Sequence, residues 1–174
     1  LGLATPVAIM VGNGVGAKNG IMFKTAVSLE EAGKVEIVAL DKTGTITSGK
    51  PKVTDMIPAE GISQEELLRL AYALESRSEH PLARAIVDYA KEKGVQASEV
   101  IDFEALTGNG VQTKLNGSRL LGGSFKFMKS QLSIPESAQS QYEKLAGDGK
   151  TPLFFAKENQ FLGIIAVADV IKED

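Results

Sequence analysis

The chain has 174 residues, a hydrophobic fraction of 43% and a formal net charge of −3. These values predict one folded domain, or a small domain with part of another, and exclude a disordered chain. The weak negative charge argues against a nucleic-acid surface. With no cysteine and a single histidine, His80, the chain can build neither a disulfide framework nor a thiolate metal site of its own.

Residues 1–33 are apolar and then glycine-rich. Leu1–Val11 is too short to span a bilayer, so it is either the end of a membrane helix or a buried strand or helix. No secretory signal is expected, because a basic segment before a long apolar core is lacking. Residues 26–31 have a helical pattern, and the β-branched run Val35–Leu40 predicts a buried strand that ends at Asp41.

Two helices are predicted in the next segment. Ser63, with Glu66 three residues later, forms a capping-box pattern before apolar residues at helical spacing. The second helix follows His80, since Pro81 suits a first helical turn and Gly94 suits a stop.

From about residue 100 the pattern changes to strands. Asn116–Gly117 predicts a tight hairpin between two apolar runs. A polar helix is expected over 137–146, followed by a second hairpin that pairs 152–156 with 161–166.

Asp41 has the most informative position for chemistry. Ligands of open α/β sheets bind beyond the carboxyl ends of strands, and the following Thr43–Gly44–Thr45 turn offers main-chain N–H groups to an anion. An aspartate there can attack a γ-phosphate and hold it as an aspartyl-phosphate, with Lys42 and Mg²⁺ offsetting the charge. On the pattern alone, an aspartate at the end of a strand is more often a cap or turn residue.

The string of residues 41–47, Asp-Lys-Thr-Gly-Thr-Ile-Thr, resembles the phosphorylation motif of P-type ATPases. The resemblance implies a haloacid dehalogenase-like fold, in which Asp41 is the phosphorylated nucleophile and Lys42 assists the phosphoryl group. It also implies that Asp41 and the main-chain carbonyl of Thr43 are Mg²⁺ ligands, and that Thr45 contacts the phosphate region.

Further segments resemble the heavy-metal branch of that family. Residues 78–82, Ser-Glu-His-Pro-Leu, match its signature, which implies that His80 orients adenine and that Glu75 contacts it. Gly108–Asn109–Gly110 matches its Gly-x-Gly loop, where a missing side chain lets ATP approach the backbone. Gly122 is expected to act through its backbone, whereas Gly123 departs from the usual Asn. By themselves a histidine before proline and a Gly-Asn-Gly turn indicate a helix start and a loop.

Residues 1–6 resemble the stretch that follows the metal-transport motif of Cu(I) pumps, so Cu(I) or Ag(I) bound outside this chain is the expected cargo. Residues 168–173 resemble the return to the phosphorylation domain. The family's later Thr-Gly-Asp and Gly-Asp-Gly-x-x-Asn-Asp motifs do not occur in the sequence, so we expect a complete nucleotide-binding domain and an incomplete catalytic one.

The predicted fold class is α/β. An antiparallel sheet flanked by helices, the nucleotide-binding domain of residues 52–165, is inserted into a partial haloacid dehalogenase-like phosphorylation domain of residues 35–51 and 166–174. Residues 1–34 are predicted to be the end of a membrane helix and a connector. The implied protein is an ATP-driven pump that uses ATP and Mg²⁺. Its partners are nucleotide and its own remaining domains, and this chain is expected on the cytosolic side of a prokaryotic plasma membrane.

Two alternatives remain at this point. A soluble haloacid dehalogenase-like phosphatase usually carries a second aspartate two residues after the nucleophile, but this chain has Thr43 there. The chain could also act as a nucleotide-binding module without catalysis of its own.

Overall fold

The structure is a computed structural model that describes residues 2–106 and 108–171, with the side chains of Lys42 and Thr43 outside the description. The chain divides into two compact units, Leu1–Leu40 and Asp41–Asp174.

The first unit contains two helices, α1 over Ala4–Lys18 and α2 over Ala26–Ala32. Thr25 caps α2 by accepting the Ser28 N–H at 3.1 Å, and α1 packs its Gly12 close to Leu29 of α2. The helical pattern predicted at 26–31 is therefore confirmed. Among the described residues, no helix combines the length and apolarity needed to cross a membrane.

The prediction of a strand at Val35–Leu40 is wrong. These residues form neither helix nor strand, and their side chains are exposed, with Ile37 at 87% and Val38 at 70%. A strand needs a neighbour for its backbone N–H and C=O groups. No described strand pairs with this run, so a β-branched composition alone does not produce one.

The second unit is built on one six-stranded sheet, antiparallel throughout, with the strand order β1-β6-β5-β4-β3-β2. Its strands are β1 Thr47–Pro58, β2 Ile101–Leu106, β3 Gly110–Leu115, β4 Ser118–Gly123, β5 Thr151–Lys157 and β6 Gln160–Ile171.

Helices cover both faces of this sheet. One cluster packs α3 (Gln64–Glu75) and α4 (Pro81–Glu92) on the sheet, and the other packs α5 (Phe125–Gln131) and α6 (Glu136–Gly147). Successive strand residues point to opposite faces, so Phe155 belongs to the first cluster and Phe154 to the second. The predicted fold class, an antiparallel sheet flanked by helices, is confirmed.

The local signals for the first two helices of this unit also hold. Ser63 caps α3 by accepting the Glu66 N–H at 3.1 Å. Pro81 occupies the first turn of α4, and Gly94 follows that helix with φ +72°. Just after a helix, a residue with a left-handed φ is most often glycine.

Strand β1 is an element that the sequence did not indicate. It contains Gly49, Pro51 and Pro58 and pairs with β6 alone, at an edge of the sheet. Proline is tolerated on edge strands, where its missing N–H faces away from the ladder. The predicted domain boundaries 51/52 and 165/166 fall inside β1 and β6, and those boundaries stay a prediction.

Candidate functional site

A cavity of about 750 Å³ opens between the α3–α4 junction and strands β2, β3 and β4. We call it the Glu75 cavity. All five residues predicted to contact nucleotide line it, although they come from separate parts of the chain: Glu75, His80, Gly108, Gly110 and Gly122.

Glu75 is the last residue of α3 and is only 6% exposed. Burial raises the pKa of its carboxyl from 4.5 to about 7, while a hydrogen bond with Ser78 acts in the opposite direction. Near neutral pH the carboxyl therefore exists in both forms, and it can either donate or accept a hydrogen bond inside the cavity.

His80 caps α4. Its Nδ1 accepts the Leu82 N–H at 3.2 Å, so in the neutral ring the proton lies on Nε2. The simpler interpretation, that a histidine before proline marks a helix start, is therefore confirmed. It is compatible with a ligand contact, because the cap uses Nδ1 and not Nε2, and His80 lines the cavity.

Two of the cavity glycines, Gly110 and Gly122, are required by close packing around the cavity. A Cβ added at Gly110 would lie 2.1 Å from the Gly122 carbonyl oxygen, and one at Gly122 would lie 2.6 Å from Leu74. Gly108 differs, because a Cβ there would meet nothing within 4 Å and its φ is +73°. It belongs to a turn closed by the Asn109 N–H and the Leu106 carbonyl at 2.9 Å. Glycine at position 110 thus permits the close approach of β3 and β4, whereas glycine at position 122 makes room for Leu74 of α3.

Gly123, the departure from the family pattern, pairs with Gly110 across the two strands. A Cβ at position 123 would lie 2.5 Å from the Asn109 carbonyl oxygen and 2.9 Å from the Phe127 ring. The backbone of this chain therefore has no room for the usual Asn side chain.

The apolar wall of the cavity escaped the sequence analysis. Phe103 and Ala105 lie at alternate positions of β2, which places them on one face of the sheet. That alternation was a usable signal. The main apolar residues of the wall are Leu82, Ala83, Phe103, Ala105, Leu106, Val111 and Leu153.

The remaining predicted site residues lie elsewhere, in a segment we call the Asp41 turn, residues 41–46. Asp41 is exposed and precedes a π-helical turn, Lys42–Ile46, that leads into β1. Thr45 is exposed as well. The side chains of the predicted residues Lys42 and Thr43 lie outside the described part of the structure. Neither Asp41 nor Thr45 lines the Glu75 cavity.

The end of the Asp41 turn is anchored to strand β6. The Gly44 N–H donates to Thr47 Oγ1 at 3.3 Å, and the buried Thr47 hydroxyl donates to Asp169. Four strand spacings separate β1 from β3, which is roughly 19 Å at about 4.8 Å each. The turn and the cavity are therefore distinct sites within one unit.

A magnesium ligand set is not assembled among the described residues, where no group of three His, Cys, Asp or Glu side chains could hold a metal ion. Mg²⁺ prefers six oxygen ligands in near-octahedral geometry. Asp41 and the Thr43 carbonyl could supply only two of them.

Comparison with protein families identifies the family of this chain. The family model of haloacid dehalogenase-like hydrolases matches residues 35–174. Among curated proteins, the chain is 47% identical over its whole length to a probable copper-importing P-type ATPase A of Enterococcus hirae, of which it covers 23%. It is 40% identical over 99% of its length to a copper-exporting P-type ATPase of Bacillus subtilis, of which it covers 22%. The chain thus spans less than a quarter of the length of these relatives.

Solved structures agree. A zinc-transporting PIB-type ATPase in the E2.Pi state matches 98% of the chain with a TM-score of 0.86 and 37% identity, and the match covers 27% of that protein. The N-domain of HMA8, a copper-transporting P-type ATPase, matches 67% of the chain with a TM-score of 0.59 and 25% identity, and 99% of that domain is covered. The resemblance predicted from the motifs is confirmed.

Proposed function

Because the chain belongs to the haloacid dehalogenase-like hydrolase family, we propose that it is the ATP-binding and phosphorylation segment of a P-type ATPase that pumps Cu(I) or Ag(I). The observation that supports this most directly is the convergence of Glu75, His80 and three glycines on one cavity. The motif residues are separated in sequence, and an accidental match would not bring them together.

Adenine is the part of the nucleotide that the Glu75 cavity suits. The apolar wall of β2 and β3 accepts the flat face of a base, and Glu75 offers a hydrogen-bonding carboxyl to its edge. In its ionised form the carboxylate accepts from an exocyclic amino group, which adenine carries at the position where guanine has a carbonyl. The Nε2–H of His80 supplies a further donor. The ionised form of Glu75 therefore favours adenine over guanine.

Asp41 performs the chemistry in this proposal. Its carboxylate oxygen attacks the γ-phosphorus of ATP, the bond from that phosphorus to the bridging β–γ oxygen breaks, and ADP leaves with the electron pair. Lys42 lies next in the chain and assists the phosphoryl group, and Thr45 contacts the phosphate region. Magnesium, held in part by Asp41 and the Thr43 carbonyl, would neutralise charge on the transferred group.

The proposal includes a movement, because Asp41 does not line the cavity that holds the base. Strands β1 and β3 lie about 19 Å apart, and we infer that the phosphorylation site and the bound nucleotide approach each other before transfer. Such closures are common in enzymes that exclude water during phosphoryl transfer. The resulting aspartyl-phosphate then drives a conformational change in the membrane part of the pump.

The proposed cargo and surroundings rest on the relatives. Several are named copper-transporting or copper-exporting, and one structural relative transports zinc, so Cu(I) or Ag(I) is the finer proposal within heavy metals. The partners are the remaining domains of the same pump. The chain would lie on the cytosolic side of a prokaryotic plasma membrane, in line with its bacterial relatives.

A nucleotide titration of the chain tests the proposal. ATP, AMP and GTP are added in turn while backbone amide and His80 ring signals are followed by NMR. We expect shifts with ATP and AMP at Glu75, His80, Gly108 and Gly110, and much weaker shifts with GTP. A response confined to Asp41, or none at the cavity, would reject the nucleotide-binding assignment and favour a phosphatase-like protein.

A further inference from the structure

We propose that Arg77 binds the phosphates of the nucleotide held in the Glu75 cavity, and so makes affinity depend on phosphate number. This inference rests on the proposed function and deepens it. No sequence motif pointed to Arg77. The argument comes from the charges on the cavity wall and from the partners of the other polar groups near it.

The cavity has few charges to offer a polyphosphate. Of the described residues that line it, Arg77 is the only lysine or arginine. The other acidic or basic lining residues, apart from His80, are Glu75, which is buried, and Glu79, which is exposed. Both carboxyl groups disfavour a nearby phosphate when they are ionised. A nucleotide bound here therefore meets one permanent positive charge.

The neighbouring polar groups already have partners. The Ser124 hydroxyl caps α5 by accepting the Phe127 N–H at 3.3 Å. Lys150 directly precedes the lining residue Thr151, but its Nζ is paired with Asp55 at 2.7 Å. Position 123 carries no side chain, and its surroundings leave no room for one. None of these positions offers a free cation to the phosphates.

Arg77, by contrast, is available. It is exposed, and its guanidinium makes no ion pair or side-chain hydrogen bond with any residue in the described ranges. It lies in the short connection between the end of α3 at Glu75 and the cap of α4 at His80. A group between the two proposed base contacts is held near the bound nucleotide. A guanidinium also presents several N–H donors in a geometry that matches phosphate oxygens.

The experiment measures the affinity of the chain for adenosine, AMP, ADP and ATP by calorimetry without divalent cations, so that the phosphate charge is not masked. The variants are Arg77→Gln and Arg77→Lys. Arg69→Gln is the matched control, since Arg69 is an exposed arginine of α3 that lines a different groove and also lacks an ion pair among the described residues.

For Arg77→Gln we expect unchanged adenosine affinity and a loss that grows with phosphate number, to about fivefold for ATP. The loss should shrink as salt is raised from low concentration to about 0.15 M, because an exposed charge pair is screened. Arg77→Lys should recover most of the ATP affinity, and Arg69→Gln should match the wild-type chain with every ligand.

Equal losses for adenosine and ATP would overturn the inference, because they would show that Arg77 only shapes the cavity. Unchanged ATP affinity in Arg77→Gln would overturn it as well. Either result leaves the proposed function intact, since the wild-type chain still binds ATP. A wild-type chain that binds no adenine nucleotide would reject the proposed function, and this inference would fall with it.

Discussion

The Glu75 cavity and the Asp41 turn lie in one unit, but only the cavity is built from packed residues. Cavity residues sit at helix ends and on paired strands, and Glu75, Gly122 and Gly123 are buried. Asp41 and Thr45 are exposed, and the turn is tied to the sheet at its end, through Thr47 and Asp169. The described residues thus complete the walls of the cavity, whereas the proposed phosphoryl-transfer role of Asp41 needs further groups brought to the turn.

The strongest test of this division is Asp41→Asn. The substitution removes the proposed nucleophile but no packed group, so it should abolish acid-stable phosphate incorporation from γ-labelled ATP in the complete form of the proposed pump. ATP affinity of the chain should be unchanged. Asp148→Asn, at another exposed aspartate just after α6, is the control and should phosphorylate normally. Phosphate incorporation in the Asp41 variant would contradict the assignment of the nucleophile.

Glu75→Gln tests the cavity. Between pH 4.5 and about 7, Glu75 ionises in the unfolded chain but keeps its proton in the folded one. The free energy of unfolding therefore falls as pH rises through this window, by about 3 kcal/mol. The glutamine side chain does not ionise. The stability of the variant should therefore depend less on pH, and at pH 8 it should exceed that of the wild-type chain.

Urea denaturation at several pH values measures this effect. Glu92→Gln serves as the control, since Glu92 is exposed at the end of α4, and its profile should follow that of the wild-type chain. A Glu75→Gln profile parallel to the wild-type one would show that burial does not perturb this carboxyl.

Gly110→Ala tests whether the cavity depends on the close approach of β3 and β4. The new methyl would lie 2.1 Å from the Gly122 carbonyl oxygen, a backbone atom that cannot rotate away. We expect a destabilisation of about 2 kcal/mol and weaker ATP binding. Gly147→Ala, whose methyl would meet nothing within 4 Å, should leave both properties nearly unchanged. Equal denaturation midpoints for the two variants would argue against the packing explanation.

The Asp55–Lys150 pair tests the connection between the two regions. It joins β1, which follows the Asp41 turn, to the residue before Thr151 of the cavity, and both side chains are about 70% buried. Lys150 holds the pKa of Asp55 below its ordinary value. The stabilisation is therefore present near neutral pH and is lost as pH falls through the lowered pKa.

A double-mutant cycle with Asp55→Asn and Lys150→Ala should give a coupling of about 1 kcal/mol at pH 7. The Asp102–Lys114 pair is the control, because it has a similar length of 2.9 Å but is more than half exposed, and its coupling should be smaller. Equal couplings would mean that burial adds nothing to the first pair.

Sequence reasoning succeeded where the signal is local. Ser63 and Pro81 mark helix starts, and Asn116–Gly117 marks a hairpin, through interactions with near neighbours in the chain. It failed at Val35–Leu40 because strand formation depends on partners that composition does not reveal. It missed β1 because an edge strand tolerates prolines that would argue against a central one.

The candidate site divides in the same way. Motif matches identified the polar residues and glycines of the Glu75 cavity, which the structure brings together, and their binding roles remain a prediction. They could not show that Gly110 faces Gly123 across two strands, since that contact follows from register. They also gave no reason to single out Arg77, whose proposed role is inferred in part from the pairing of Lys150 with Asp55.

The pairing of β1 with β6 has a consequence for how such a protein can be assembled in evolution. Thr47 opposes Ile171, so the chain enters and leaves the sheet at points about 5 Å apart. A module with adjacent ends can be placed in a surface loop of another fold with little disturbance to its host. The same property makes this sheet a candidate for transplantation into an unrelated scaffold.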